Sequence, residues 1–178
     1  MTESEIQQRI EDNIETKAIA QQSCYRAFCG YLDEFPLQVL GRGALLSTRF
    51  NREGNIEFAA EYLGADGKPS SEGQGKAYRQ LLYAAFDLAV ACAMLDQPYI
   101  RFLYQDGLLE GLDNRKKLNL IATIRRFAAL GIQQIVTVID SDLPTDETGE
   151  RLTFRDDEIA LILHDEDDSG RLFRMPPW

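Results

Sequence analysis

The 178 residues predict a single α/β unit carrying an N-terminal helical arm. Three observations carry that expectation. Leu81–Leu95 (LLYAAFDLAVACAML) is apolar nearly all round, as a helix in the middle of a fold should be. Tyr99–Gln105 (YIRFLYQ) and Ile132–Ile139 (IQQIVTVI) read as buried strands that each end on an aspartate. A helical pattern separates them, and strand, helix, strand in that order implies a right-handed parallel crossover. Finally, Ala44–Phe50 and Asn55–Leu63 flank Asn51-Arg-Glu-Gly54, a short polar link with a glycine that suits a hairpin.

The elements follow in order. From Thr2 to about Glu34, apolar residues Ile6, Ile10, Ile14, Ala18 and Ala20 recur at three- and four-residue spacing in a polar background. So thin a stripe fits a helix packed along one edge, or the end of a coiled coil. Cys24, Tyr25, Phe28, Tyr31 and Leu32 are richer and should enter the core, and Pro36 should end the helix. After the hairpin, Gly64–Ser71 (GADGKPSS) is dense in turn formers. The long helix should run from near Glu72 to about Leu95, with Asp87 as a paired or edge-facing carboxylate. Asp113 should cap the next helix, whose apolar face is Leu118, Ile121, Ile124, Phe127 and Ala128, and Gly131 should close it. Ile159–Leu163 and Leu172–Met175 read as closing edge strands around the turn HDEDDSG. There is no internal repeat or low-complexity tract. The expected organisation is a helix over 1–36 and a lobe over 37–178.

Composition narrows the function classes. No apolar run approaches the roughly 20 residues of a membrane span, and the start MTESEIQQRIEDN is too polar for a signal peptide. Cys24, Cys29 and Cys92 cannot all pair, which fits a reducing cytoplasm. The formal charge of −10 lies wholly in Asp140–Asp168, where acidic residues outnumber Arg151 and Arg155. The rest of the chain is balanced. Duplex binding needs a positive footprint, and none is evident.

Two segments carry chemistry. Ser70–Tyr78 (SSEGQGKAY) opens the long helix. It is not a Walker A motif, which needs G-x-x-x-x-G-K-[ST], because Ser70 stands five before Gly75 and Ala77 follows Lys76. It reads either as a Ser/Gly cap or as an anion site in which helix N–H groups meet a phosphate beside Ser71, Gly73 and Lys76. Phe102–Asp113 (FLYQDGLLEGLD) places Asp106 at the C-terminal end of a strand, where open α/β sheets bind ligands. Asp106 reads either as a loop cap or as a holder of Mg²⁺ beside phosphates. His164, the only histidine, reads as a solvated turn residue.

Together these segments resemble an ATP-binding cassette head of the SMC, RecN and SbcC kind. Ser70-Ser71-Glu72-Gly73-Gln74 keeps Ser71, Gly73 and Gln74 of the signature L-S-G-G-[QE], with Glu72 in place of the first glycine. Phe102–Asp106 resembles a Walker B strand, and Leu112-Asp113 falls on the D-loop spacing. More closely, EGQGKAYRQLLYAAFDLAVACAMLD, DGLLEGLDNRKKLNLI and the ending GRLFRMPPW look like the C-terminal lobe of bacterial YydD-like SMC-type ATPases, a family of unknown function. The resemblance covers residues 37–178 and makes the first helix the base of a coiled coil. It implies the C-terminal half of an ABC/SMC-type P-loop NTPase head: a parallel sheet with flanking helices and antiparallel edge strands. It departs from the pattern where Gly107 replaces the catalytic glutamate, for which Glu110 is the substitute. Val138–Ser141 fills the place of the expected histidine, and the chain has no Walker A.

The resemblance implies ATP and Mg²⁺ as cofactors, both requiring an N-terminal Walker A lobe encoded upstream or supplied separately. It also implies a head–head homodimer closed by ATP. Ser71, Gly73 and Gln74, with Lys76, would contact the nucleotide of the opposite protomer. Asp106 would position the metal in its own head, and Asp113 would communicate across the interface. DNA would be a partner of the whole assembly rather than of this lobe. A rival reading is a metal-dependent nuclease or phosphatase built on Asp106, Asp140 and Asp142. A third is a non-catalytic module that docks a partner through its acidic loop and first helix.

Overall fold

In a computed structural model of the chain, residues 3–70, 75–146, 148–164, 166–167 and 170–171 are described. The order is α1 (Glu3–Leu40), β1 (Ala44–Phe50), β2 (Ile56–Leu63), β3 (Pro69–Ser70), α2 (Lys76–Ala93), β4 (Phe102–Gln105), α3 (Asn114–Ala128) and β5 (Gln133–Val136). A short 3₁₀ turn covers Asp140–Asp142. The chain forms two compact units, Met1–Pro144 and Thr145–Trp178.

α1 does not stop at Pro36 but runs through it to Leu40. A proline inside a helix removes one N–H and costs about 3 kcal/mol. Here that cost is offset by packing, because Phe35, Pro36 and Val39 are all fully buried. The helix ends instead on Gly41, whose left-handed φ of 71° lets its N–H reach the Leu37 carbonyl at 2.9 Å. The Asp33 carboxylate then accepts the Ala44 N–H at 3.1 Å, tying the start of β1 to α1.

The hairpin forms as the sequence predicts. Asn51 Oδ1 accepts the N–H groups of Glu53 and Asn55, and Gly54 takes φ 83°. β2 lies between β1 and β3, antiparallel to both. One hairpin face is polar, with Ser47 donating to Glu61 at 2.6 Å and Arg49 paired with Glu57 at 2.9 Å. The other starts with the buried pair Ala44 and Tyr62 and ends with the exposed Phe50, Ile56 and Phe58.

α1, α2 and α3 build the core. Leu32 and Phe35 of α1 meet Leu81, Ala85 and Leu88 of α2 and Leu120 and Phe127 of α3 as its most buried members. Phe127 is edge-on to Tyr31 at 6.1 Å and tilted against Phe35 at 6.0 Å. Arg126 pairs with Glu34 at 2.6 Å on the rim of the same contact. The buried stripe of α3 is Leu120, Ile121, Thr123 and Phe127, so Ala128, expected inside, faces solvent.

Two expectations of all-round burial fail. α2 buries Leu81, Leu82, Ala84, Ala85, Leu88, Ala89, Ala91 and Cys92, but Tyr83, Phe86 and Asp87 lie on an open face. β4 and β5 pair in parallel, Phe102 with Gln133 and Tyr104 with Ile135, as the crossover requires. They are shorter than the apolar runs that contain them, and Phe102 (52% exposed), Tyr104 (61%) and Ile135 (42%) share one uncovered face. Among the described residues neither strand has a further neighbour.

In the second unit, Thr145 bridges Arg151 around a turn held by Asp146 Oδ1, which accepts the Thr148 and Glu150 N–H groups. Ile159–Leu163, expected as an edge strand, is irregular, and its apolar side chains are exposed. A strand needs a neighbouring ladder for its backbone groups, and Leu172–Met175, expected as the second edge strand, lies outside the described residues. His164 donates its N–H to the Gly170 carbonyl at 2.9 Å. No helix among the described residues is long and apolar enough to cross a membrane.

Candidate functional site

The site forms where the start of α2 meets the turn after β4. Buried Leu108, Leu109 and Leu112 anchor that turn from below, so its polar residues must point outward. Gly107 (φ 63°) and Gly111 (φ 69°) supply the two left-handed residues that a chain reversal of this tightness needs. The Glu110 N–H donates to the Gly107 carbonyl at 3.0 Å and closes the first half.

This fold brings three of the sequence-selected residues together. Lys76, the first residue of α2, pairs with Glu110 through Nζ and Oε2 at 3.2 Å. One turn along α2, Gln80 Nε2 donates to the Asp106 main-chain carbonyl. The Asp106 carboxylate accepts a hydrogen bond from the Thr137 hydroxyl on Oδ1. A Cβ placed on Gly107 would lie 2.6 Å from Glu110 Oε1, so the Glu110 carboxylate fills the space that a side chain at 107 would enter. The left-handed backbone favours glycine at 107, and a side chain there would displace the Glu110 carboxylate.

Asp113 is placed elsewhere. Its carboxylate accepts the Lys116 N–H at 3.0 Å as the N-cap of α3, as the sequence predicts, and pairs with Lys116 Nζ at 2.5 Å. Those two contacts hold its carboxyl below the usual carboxylate range, and the ammonium contact is the larger cause. Lys116 also lies over the Tyr78 ring at 5.7 Å, which connects the start of α3 to α2. Lys116 is raised in turn, first by Asp113 and then by Tyr78.

Ser71, Gly73 and Gln74 lie outside the described residues, as does Glu72. α2 begins at Lys76 rather than near Glu72, and its N-cap, Gly75, contributes no side-chain bond. The carboxylates of the nuclease reading do not gather. Asp142 is drawn to α3, where Lys117 Nζ meets its carbonyl at 2.8 Å and its Oδ1 at 3.4 Å. Among the described residues, no three His, Cys, Asp or Glu side chains stand where they could share a metal ion.

Sequence reasoning missed Gln80 and Thr137. Residue 80 sits on the polar side of an apolar helix, where glutamine draws no notice. Thr137 is opposite Asp106 only because Gln105 pairs with Val136, and strand register is not visible in either strand alone.

Cys24, Cys29 and Cys92 are all free thiols. Burial, then the nearby Glu34 carboxylate, pushes Cys92 up to about 12, so it is an inert core thiol.

Fold and site together define a small mixed α/β domain, with three helices, an antiparallel hairpin sheet and a parallel strand pair among the described residues, and a Lys–Asp–Glu group at the C-terminal end of the parallel strands. Residues 37–177 match a family described as an uncharacterised protein conserved in bacteria (DUF2326), and the chain belongs to that family. No curated protein matches it.

Proposed function

We propose that this chain is the C-terminal lobe of an SMC-like ABC-type ATPase head, which supplies a Walker B aspartate in cis and a signature segment in trans. The observation that carries this reading is the turn after β4. Asp106 ends a parallel strand, Gly107 turns left-handed, and Glu110 folds back over position 107 under the charge of Lys76 from α2. This arrangement supports Glu110 as the substitute for the glutamate that the resembled pattern has at position 107.

The bare sheet adds support. Parallel strands are normally covered on both faces, and β4–β5 leaves Phe102, Tyr104 and Ile135 open. A lobe carrying the Walker A motif would cover them and complete the sheet.

The residues fit magnesium better than a protein-caged metal. Mg²⁺ keeps several waters and binds through one or two carboxylates plus phosphate oxygens, and Asp106 offers one carboxylate with Oδ2 unpartnered among the described residues. The ion, when bound, would neutralise phosphate charge. In this reading Asp106 would hold it in its own head, Glu110 would take the proton of the attacking water, and Lys76, at the start of α2, would meet the nucleotide of the opposite protomer. Ser71, Gly73 and Gln74 grip the nucleotide of the opposite protomer, and Asp113 keeps the D-loop in position through its cap. A cytoplasmic location and DNA as a partner of the assembled machine belong to the same proposal.

The test is reconstitution with a Walker A lobe. ATP binding should appear only with both lobes, and Ser71→Arg should abolish ATP-dependent head dimerisation. Glu110→Gln should slow hydrolysis by about 10²–10⁴-fold, the usual worth of a general base. A Glu110→Gln complex that turns over ATP at the wild-type rate removes Glu110 from the mechanism.

A further inference from the structure

We propose that Thr137 is the positioning residue of this site, fixing which oxygen of Asp106 faces a divalent cation. This rests on the reading of Asp106 as a cation ligand. Thr137 follows the last residue of β5, and the pairing of Gln105 with Val136 brings it level with Asp106 across the two strand ends. Its hydroxyl donates to Asp106 Oδ1 and accepts the Gly107 N–H at 3.3 Å. The Thr137 N–H also binds the Gln105 carbonyl at 3.1 Å, so the backbone carrying the hydroxyl is itself held by β4.

The consequence is directional. A hydroxyl that receives one N–H has its own hydrogen free for a single acceptor, and here that acceptor is Oδ1. Oδ2 is left as the oxygen with no partner among the described residues. The main-chain carbonyl of Asp106 is held separately by Gln80. Backbone and carboxylate are therefore fixed from two elements, and the exposed carboxylate does not depend on burial for its orientation. Groups that orient a metal-binding carboxylate typically contribute 10–100-fold in metal affinity.

The test is a Mn²⁺ titration of the chain assembled with a Walker A lobe and a non-hydrolysable ATP analogue, following paramagnetic broadening of the Asp106 and Gly107 backbone amides. Thr137→Ser keeps the hydroxyl and should titrate like wild type. Thr137→Val, which replaces it with a methyl, should need about tenfold more Mn²⁺, and Thr137→Ala serves if the valine variant does not fold. Melting temperatures of the same variants separate the roles: lower stability with unchanged Mn²⁺ affinity overturns the positioning role. Asp106→Asn separates the two readings. If it abolishes broadening while Thr137→Val and Thr137→Ala titrate like wild type, only the role of Thr137 falls. If it broadens like wild type, or if wild type does not broaden at all, the cation reading of Asp106 falls and takes this proposal with it.

Discussion

The first unit has two sides built by different rules. On one side α1 lies against α2 and α3, and Leu32, Phe35, Leu81, Leu120 and Phe127 are sealed from water. On the other, Tyr83 and Phe86 of α2 and Phe102, Tyr104 and Ile135 of the parallel pair are equally apolar and lie open. Between α2 and β4, Phe86, Asp87, Val90, Tyr99, Ile100, Phe102 and Leu103 line a groove of about 260 Å³. The difference is one of neighbours, not of composition: α1 covers one side, whereas on the other, among the described residues, it reaches only Phe86, which Phe28 meets edge-on at 5.2 Å. The proposed function covers this surface with a second lobe.

The largest expected effect breaks that comparison if it fails. Phe35→Ala should cost about 3–5 kcal/mol of stability in urea denaturation, whereas Phe102→Ala should cost less than about 1 kcal/mol, because its ring is already half in water. Equal losses at the two positions would mean that the open face is covered in solution. At the junction of the two sides, Gly107→Ala should destabilise the chain by about 1–2 kcal/mol, since it forces a side chain into a left-handed backbone and against Glu110. A calorimetric melt matching wild type would show that the turn is looser than described.

Asp113→Ala should cost about 1 kcal/mol through loss of the α3 cap. The cap also has a pH signature. The carboxyl is lowered in the folded chain, so its contribution is complete above the ordinary carboxylate value of about 4 and is lost as pH falls through the lowered folded value. Wild type and Asp113→Ala should therefore differ at pH 7 and converge in strong acid. The smallest effect is at Asp87, whose carboxyl is raised by burial and has no ion-pair partner among the described residues. The folded chain holds that proton more tightly than the unfolded one. Stability should therefore fall slightly as pH rises from about 4 through the raised value, and Asp87→Asn should flatten that slope with a gain below about 0.5 kcal/mol at neutral pH. A variant less stable than wild type would reveal a partner for Asp87 and a less open groove.

How much could be read in advance depended on the range of the forces involved. The Asn51–Asn55 turn, the Asp113 cap and the parallel pairing of the two strands were legible, because each follows from residues close in sequence or from a strand–helix–strand order. Pro36 misled for the same reason. Its local signal is to end a helix, and only the burial of its ring between α1 and the rest of the core outweighed that signal. The apolar runs in α2 and β4 correctly announced surfaces that need covering, but not which of them this chain covers itself. At the site, Asp106, Glu110 and Lys76 could be selected from residue type and spacing. Gln80 and Thr137 could not, since their roles exist only through helix approach and strand register.

The sequence alone thus determined the order of α1, the hairpin, α2 and the β4–α3–β5 unit, the hairpin turn and the α3 cap, the residue types at the candidate site and the acidity confined to Asp140–Asp168. These depend on local backbone preference and hydrophobic period, which any short window displays. Tertiary structure alone decided where α1 ends, which apolar face is buried, that Glu110 returns over Gly107, and that Thr137 meets Asp106. Each of these is a contact between residues distant in the chain, and its energy comes from packing and register that no single segment contains.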